Sequence, residues 1–206
     1  MLSARNPVRQ GVLWLVAAAL LVPTALLLKG VSADIYVSAV ELDIGPGKRI
    51  TEIALLGLIA VFALAAWGFR KLNIERIATA VTAGLGIILA YVLSEVIKLF
   101  LTQERPCRTE VMLDNCPVAG DWSFPSNHAT IAFAVATGIV IILASRWALL
   151  AYLGAAIVGV LRVLDGAHYP HDVLAGAILG VCVTIGVFLV LLPLQRAVCL
   201  RLADRK

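Results

Sequence analysis

Six long apolar runs constrain this chain more than any other feature. They fall at about 10–29, 52–70, 75–101, 128–145, 147–164 and 172–193. A helix that crosses a membrane needs about 20 mostly apolar residues, and each run has roughly that length. Of the 206 residues, 61% are hydrophobic and the mean hydropathy is +0.97. Soluble domains average about 45–50% apolar residues, and a soluble globule of this size could not hide the excess. The chain therefore reads as one all-α, polytopic membrane domain over 1–206, a bundle of six transmembrane helices with no room for a separate soluble unit. The third run is long enough that its outer end should project beyond the hydrocarbon or tilt.

Lysine and arginine placement sets the expected orientation. With the N-terminus inside, the cytoplasmic segments hold Arg5, Arg9, Arg70, Lys71, Arg76, Arg146, Arg196, Arg201, Arg205 and Lys206. The outer segments hold Lys29, Lys48, Arg49, Arg105 and Arg108, with Lys98 and Arg162 at helix ends. Both termini are expected in the cytoplasm. The net charge of +4 reflects that bias. It suits anionic lipid headgroups and does not indicate a nucleic-acid partner. Arg5 and Arg9 before an apolar run, with Val31-Ser32-Ala33 beyond it, resemble a signal peptide. The run of about 18 residues exceeds the usual 7–15, which favours an uncleaved first helix.

Three polar islands interrupt the oil, all expected on the outer side. Lys98 is followed by Arg105-Pro106. Next comes Pro125-Ser126-Asn127-His128. The third contains Arg162, His168 and Asp172. Ser126 is placed to cap the fourth apolar helix. The first turn there offers free N–H groups, which make either a plain helix start or a phosphate cradle. Pro170 fits the first position of the last helix. Asp172, in that helix's first turn, either caps it or orients the His168 imidazole, leaving the other ring nitrogen to attack. His171 is the rival nucleophile; adjacent to Asp172 in sequence, it is expected to point the wrong way. Lys98 and Arg162 either snorkel or join Arg105 in holding a phosphate, which guanidinium forks and a lysine point charge recognise well. Glu95 is expected to hold Lys98 in place.

The connections carry fewer signals. Residues 30–51 are expected as an outer loop, turning at Gly45-Pro46-Gly47, whose alternating apolar and acidic residues could lie on the membrane surface. Residues 102–127 form a long irregular outer loop. Its Cys107 and Cys116 lie where disulfides are permitted and are either bridged or free. Cys182 and Cys199 read as ordinary residues, and no cysteine or histidine cluster points to zinc. Gly176-x-x-x-Gly180 fits close packing inside the bundle or a dimer contact.

Lys98-x6-Arg105-Pro106, then Pro-Ser-x-His, then Arg-x5-His-x3-Asp resembles the type 2 phosphatidic acid phosphatase (PAP2) superfamily, whose soluble relatives include vanadium haloperoxidases. The motifs cover 98–172, and the helix count extends the likeness over nearly the whole chain. The resemblance implies a PAP2/haloperoxidase-type six-helix bundle and a metal-free phosphohistidine mechanism without cofactor. In it His168 attacks phosphorus, Asp172 orients it and His128 protonates the leaving oxygen. Lys98, Arg105, Ser126, Asn127 and Arg162 hold the phosphoryl oxygens. Asn127 stands where the family usually has Gly, and Leu161 where it has Ser. Pro-Ser-Asn-His is similar to the Pro-Ser-Asp-His of bacterial undecaprenyl-diphosphate phosphatases of the bacitracin-resistance type. The substrate implied is therefore a polyprenyl diphosphate drawn from the bilayer at the outer face of a bacterial inner membrane. Phosphatidic acid, phosphatidylglycerol phosphate and a polyprenyl-phosphosugar phosphate are the alternatives within the same chemistry. A lipid-binding or flipping protein is the alternative without chemistry. It needs the cations but not two histidines and an orienting carboxylate.

Overall fold

The computed structural model describes residues 6–42, 47–69, 74–113 and 116–203. Eight α-helices are present among them: α1 (Pro7–Thr24), α2 (Lys29–Val40), α3 (Gly47–Phe69), α4 (Ile74–Phe100), α5 (Pro106–Thr109), α6 (Asn127–Leu143), α7 (Ala151–Leu164) and α8 (Pro170–Ala203). Five stretches are long and apolar enough to cross a membrane: 7–40, 49–68, 74–100, 146–164 and 170–202. The sixth, α6, has 17 residues and is about 25 Å long at 1.5 Å per residue. The all-helical membrane bundle is as expected, and the count of six holds approximately. The positions of Arg5, Gly45, Pro46, Arg70, Lys71, Arg205 and Lys206 lie outside the described residues.

The side-chain distribution explains why these helices pack as they do. Large apolar side chains such as Leu13, Leu20, Leu64, Trp67, Leu99 and Leu153 face outward, while the interior holds Ala83, Ala90, Ala129, Ala132, Ala134, Ala136, Ala155 and Ala175. Lipid is as apolar as leucine, so burying leucine gains nothing. Small residues let helices approach and gain dispersion contacts instead. Helix α8 is the hub, packing on α1, α4 and α6.

Gly176 and Gly180 are packing residues within the bundle. A Cβ on Gly176 would lie 2.6 Å from the Ser126 carbonyl oxygen, and one on Gly180 would lie 2.5 Å from that of Thr130. Overpacking of this kind costs about 1–3 kcal/mol, and here it pushes directly on the capping turn of α6. Gly176→Ala should therefore lower both the thermal unfolding temperature of the detergent-solubilised protein and its activity. A variant with unchanged unfolding and turnover would show that the two helices separate freely.

Two boundaries differ from the sequence reading. The first half of the 30–51 segment is not a surface loop. After a 3-10 turn at Ala25–Leu28 the chain continues as α2. Ser32 and Tyr36, four residues apart and so on one helical face, are buried. The alternation of apolar and acidic residues misleads because it is read at the wrong period. The last helix does not end at Pro193 but runs through it to Ala203. A proline inside a helix removes one backbone hydrogen bond. The continuation is anchored by Gln195, whose Oε1 accepts from Thr82 Oγ1 at 2.9 Å and whose Nε2 donates to Thr79 Oγ1 at 2.9 Å.

Candidate active site

The three islands converge at one end of the bundle. Ser126 caps α6, its Oγ accepting from Ala129 N–H. The N–H groups of Asn127 and His128 consequently have no acceptor within the helix. Asn127 is helical and absent from the residues with positive φ, so the usual glycine is not required there. Its side chain is wired sideways: Ser94 Oγ donates to Asn127 Oδ1 at 2.7 Å, and Asn127 Nδ2 donates to Glu95 Oε1. Glu95 in turn lies 3.6 Å from Lys98 Nζ, the pairing expected of it. His128 is half-buried on the same turn.

Lys98, Arg105 and Arg162 are 6%, 4% and 6% exposed. They do not snorkel; they are buried together. Arg105 enters from the long loop, where Pro106 starts the single turn α5. The loop is stapled by a Cys107–Cys116 disulfide, which settles that pair as bridged. Cys182 and Cys199 are free and buried. Arg105 Nη1 donates to the Ala167 carbonyl at 2.9 Å and lies 3.1 Å from His168 Nε2. Arg162 Nη1 lies 3.5 Å from Asp165 Oδ2, which also accepts from Thr51 Oγ1 at 3.1 Å. The Arg162 Nε is buried with no hydrogen-bond partner.

His168 sits in the turn between α7 and α8. Gly166 makes that turn possible: its φ is +72°, and a Cβ there would lie 2.3 Å from Leu113 Cδ1. The His168 N–H donates to the Arg162 carbonyl at 3.2 Å, and Tyr36 Oη donates to the Gly166 carbonyl at 3.2 Å. The ring is 1% exposed. A guanidinium can only donate, so its contact assigns the lone pair to Nε2 and the proton to Nδ1. That nitrogen is 3.5 Å from Asp172 Oδ2, close enough for the carboxylate's charge to orient it but without a hydrogen bond. Burial first, then the charges of Arg105, Arg162, Lys98 and His128, push the His168 imidazolium well below the ordinary histidine range. The ring is therefore neutral at pH 7.

Asp172 is wholly buried and densely held. Its Oδ2 accepts from Ser123 Oγ and from the Tyr169 N–H at 2.9 Å, and its Oδ1 accepts from Gln103 Nε2 at 2.9 Å. His171 is also there, with Nε2 3.2 Å from Asp172 Oδ1. The expectation that adjacency turns His171 away from Asp172 is thus corrected. The first turn of α8 begins at Pro170, and both rings fold back onto one carboxylate. The two rings still differ. His171 Nε2 faces two acceptors, Asp172 Oδ1 and Gln103 Oε1 at 3.2 Å, so it carries a proton. The His171 ring is stacked on Tyr169 and on Phe124, with centroids at 5.2 and 5.9 Å. Gln103, Ser123, Asp121, Asp165 and Thr51 were not singled out from sequence. Asp165 stands three residues after Arg162 at the end of one helix, a spacing that could have found it; the others are ordinary polar loop and helix residues with no spacing to mark them.

Residues 79–196 match the PAP2 superfamily. The chain belongs to the PAP2 superfamily. Every candidate site residue from Lys98 to Asp172 falls inside the PAP2 match. The chain is 37% identical over 140 residues to an undecaprenyl-diphosphatase of Sulfolobus acidocaldarius, covering 65% of this chain and 60% of that protein. It is 31% identical over 137 residues to the undecaprenyl-diphosphatase BcrC of Bacillus subtilis, covering 65% of this chain and 67% of that one. The likeness thus spans about three fifths to two thirds of these relatives. In fold it is similar to a crystal structure of a transmembrane PAP2-type phosphatidylglycerolphosphate phosphatase from Bacillus subtilis. The TM-score is 0.56 and the identity 24%, over 89% of this chain and 94% of that one.

Proposed function

We propose that this protein is a membrane lipid phosphatase that hydrolyses a polyprenyl diphosphate to the monophosphate and inorganic phosphate. The observation that carries the proposal is the wiring of His168: a neutral ring, its proton toward Asp172 and its Nε2 lone pair among three buried cations. A protein that only bound a lipid phosphate would need the cations but not this orientation. Two relatives more than 30% identical carry the name undecaprenyl-diphosphatase, which supports a diphosphate over a phosphatidate.

The substrate's terminal phosphoryl group enters between Arg105 and His168. Arg105, Lys98 and Arg162, with Ser126 and the N–H groups of Asn127 and His128, take the phosphoryl oxygens and offset the charge that moves in transfer. Arg105 turns its donor to the phosphate and frees the Nε2 lone pair. Nε2 forms a bond to phosphorus as the bridging P–O bond breaks. His128 gives its proton to the departing polyprenyl monophosphate. The neutral His128 then takes a proton from water, whose oxygen displaces Nε2, releasing phosphate and restoring both rings. Asp172 draws closer to the Nδ1 proton as the ring gains charge and steadies the phosphorylated ring. The lysine and arginine bias supports an orientation with this end of the bundle outside the cytoplasm, in reach of a carrier lipid whose tail stays in the bilayer.

The test is phosphate release by the detergent-purified protein in EDTA. Polyprenyl diphosphate, polyprenyl monophosphate and phosphatidic acid are offered in parallel. Release is expected from the diphosphate at a rate that EDTA does not change. Release from phosphatidic acid with none from the diphosphate would overturn the substrate assignment, and collapse of the rate in EDTA would overturn the mechanism.

A further inference from the structure

Each of the three buried cations meets a carboxylate, and the three carboxylates are anchored very differently. Asp165, beside Arg162, is buried and held by Thr51. Glu95, beside Lys98, lies on the same helix three residues away and accepts from Asn127. Asp121 comes from the irregular loop, its side chain 43% exposed. Its Oδ1 lies 3.0 Å from Arg105 Nη2 and 3.9 Å from Lys98 Nζ. Among the described residues its carboxylate has no other ion-pair or hydrogen-bond partner.

We infer that Asp121 is a placeholder: its carboxylate occupies the seat of a phosphoryl oxygen and gives it up when phosphate arrives. This rests on reading the cluster as a phosphate site and goes beyond it. One oxygen shared by a guanidinium and an ammonium is the contact a phosphoryl oxygen would make. Buried cations are costly when unpaired, so a carboxylate that pairs them keeps the site assembled. A carboxylate with one charge and two oxygens yields to a phosphate with about two charges and three free oxygens. Little has to move. Arg105 Nε donates to the Asp121 carbonyl at 2.8 Å, so the main chain stays and the side chain turns outward. The consequence is specificity by threshold. Any anion must first displace Asp121, so its apparent affinity falls by the fraction of time the seat is vacated. Weak anions then fail to hold the site, and product phosphate leaves readily.

The experiment is direct titration of the detergent-purified protein with inorganic phosphate. The natural chain, Asp121→Asn and Asp121→Ala are compared, after thermal unfolding has shown all three folded. Both variants should bind phosphate at least about fivefold more tightly than the natural chain. A permanent structural role, in which Asp121 orients Arg105, predicts the opposite sign. Weaker or unchanged phosphate affinity in the variants, with binding by the natural chain intact, overturns the placeholder alone. Failure of all three proteins to bind phosphate overturns the phosphate-site reading, and the inference with it.

Discussion

His168→Ala should lower polyprenyl diphosphate turnover by at least about 10³-fold, because a nucleophile that forms a covalent intermediate has no substitute. His171→Ala should cost far less. Its ring contacts the far oxygen of Asp172, which keeps Ser123, Gln103 and the Tyr169 N–H. A loss of about tenfold or less is expected, arising from the gap left between Tyr169 and Phe124. Steady-state rates of the two purified variants decide the matter, and the reverse ranking would exchange the roles of the rings. The pH profile of kcat/KM provides an independent check. His168 must be neutral to attack, and burial with the surrounding cations holds its titration well below the ordinary value of 6.5. The rate should rise with pH through that lowered value, so the acid limb lies below pH 6.5. An acid limb above 6.5 would mean that the nucleophile is not this buried ring.

Arg105→Lys should reduce kcat by about 10²–10³-fold, the usual effect of removing one preorganised donor from a charged transition state. The charge is kept, so a site that needed only positive potential would barely notice. Arg105 does more than supply charge. One guanidinium donates to the Ala167 carbonyl and the Asp121 carbonyl, meets the Asp121 carboxylate and touches His168 Nε2. It thereby fixes the turn that carries His168 as well as the phosphate seat. A lysine ammonium has three donors on a flexible stem and cannot span those directions. The measurement is kcat and KM for the variant with the diphosphate. Retention of more than a fifth of kcat would show that the fork geometry is not used.

Sequence alone determined the class of the fold and the family, and it marked out the three polar islands that the structure brings together. Runs of about 20 apolar residues permit little except membrane helices, because unpaired backbone groups cannot lie in hydrocarbon. Ser126 before an apolar helix and Pro170 at the start of another are local signals, and both hold in the structure. Lys98 beside Glu95 is likewise a one-helix relation and is equally legible. Tertiary structure decided everything that depends on which helices touch. Gly176 packs inside the bundle because the Ser126 carbonyl leaves no room for a side chain there. Residues 29–40 are helical, their Ser32–Tyr36 face buried at the turn before α8. The carboxylate of Asp121 sits on Arg105 across 16 residues of sequence, while Ser123 and Gln103 support Asp172 across 49 and 69. No period or spacing encodes such pairings, since they arise from the folding of an irregular loop over helix ends. The physical reason is range: capping and helical faces are set within one turn, whereas the partners of a buried charge are set by whatever the packed bundle brings within about 3 Å of it.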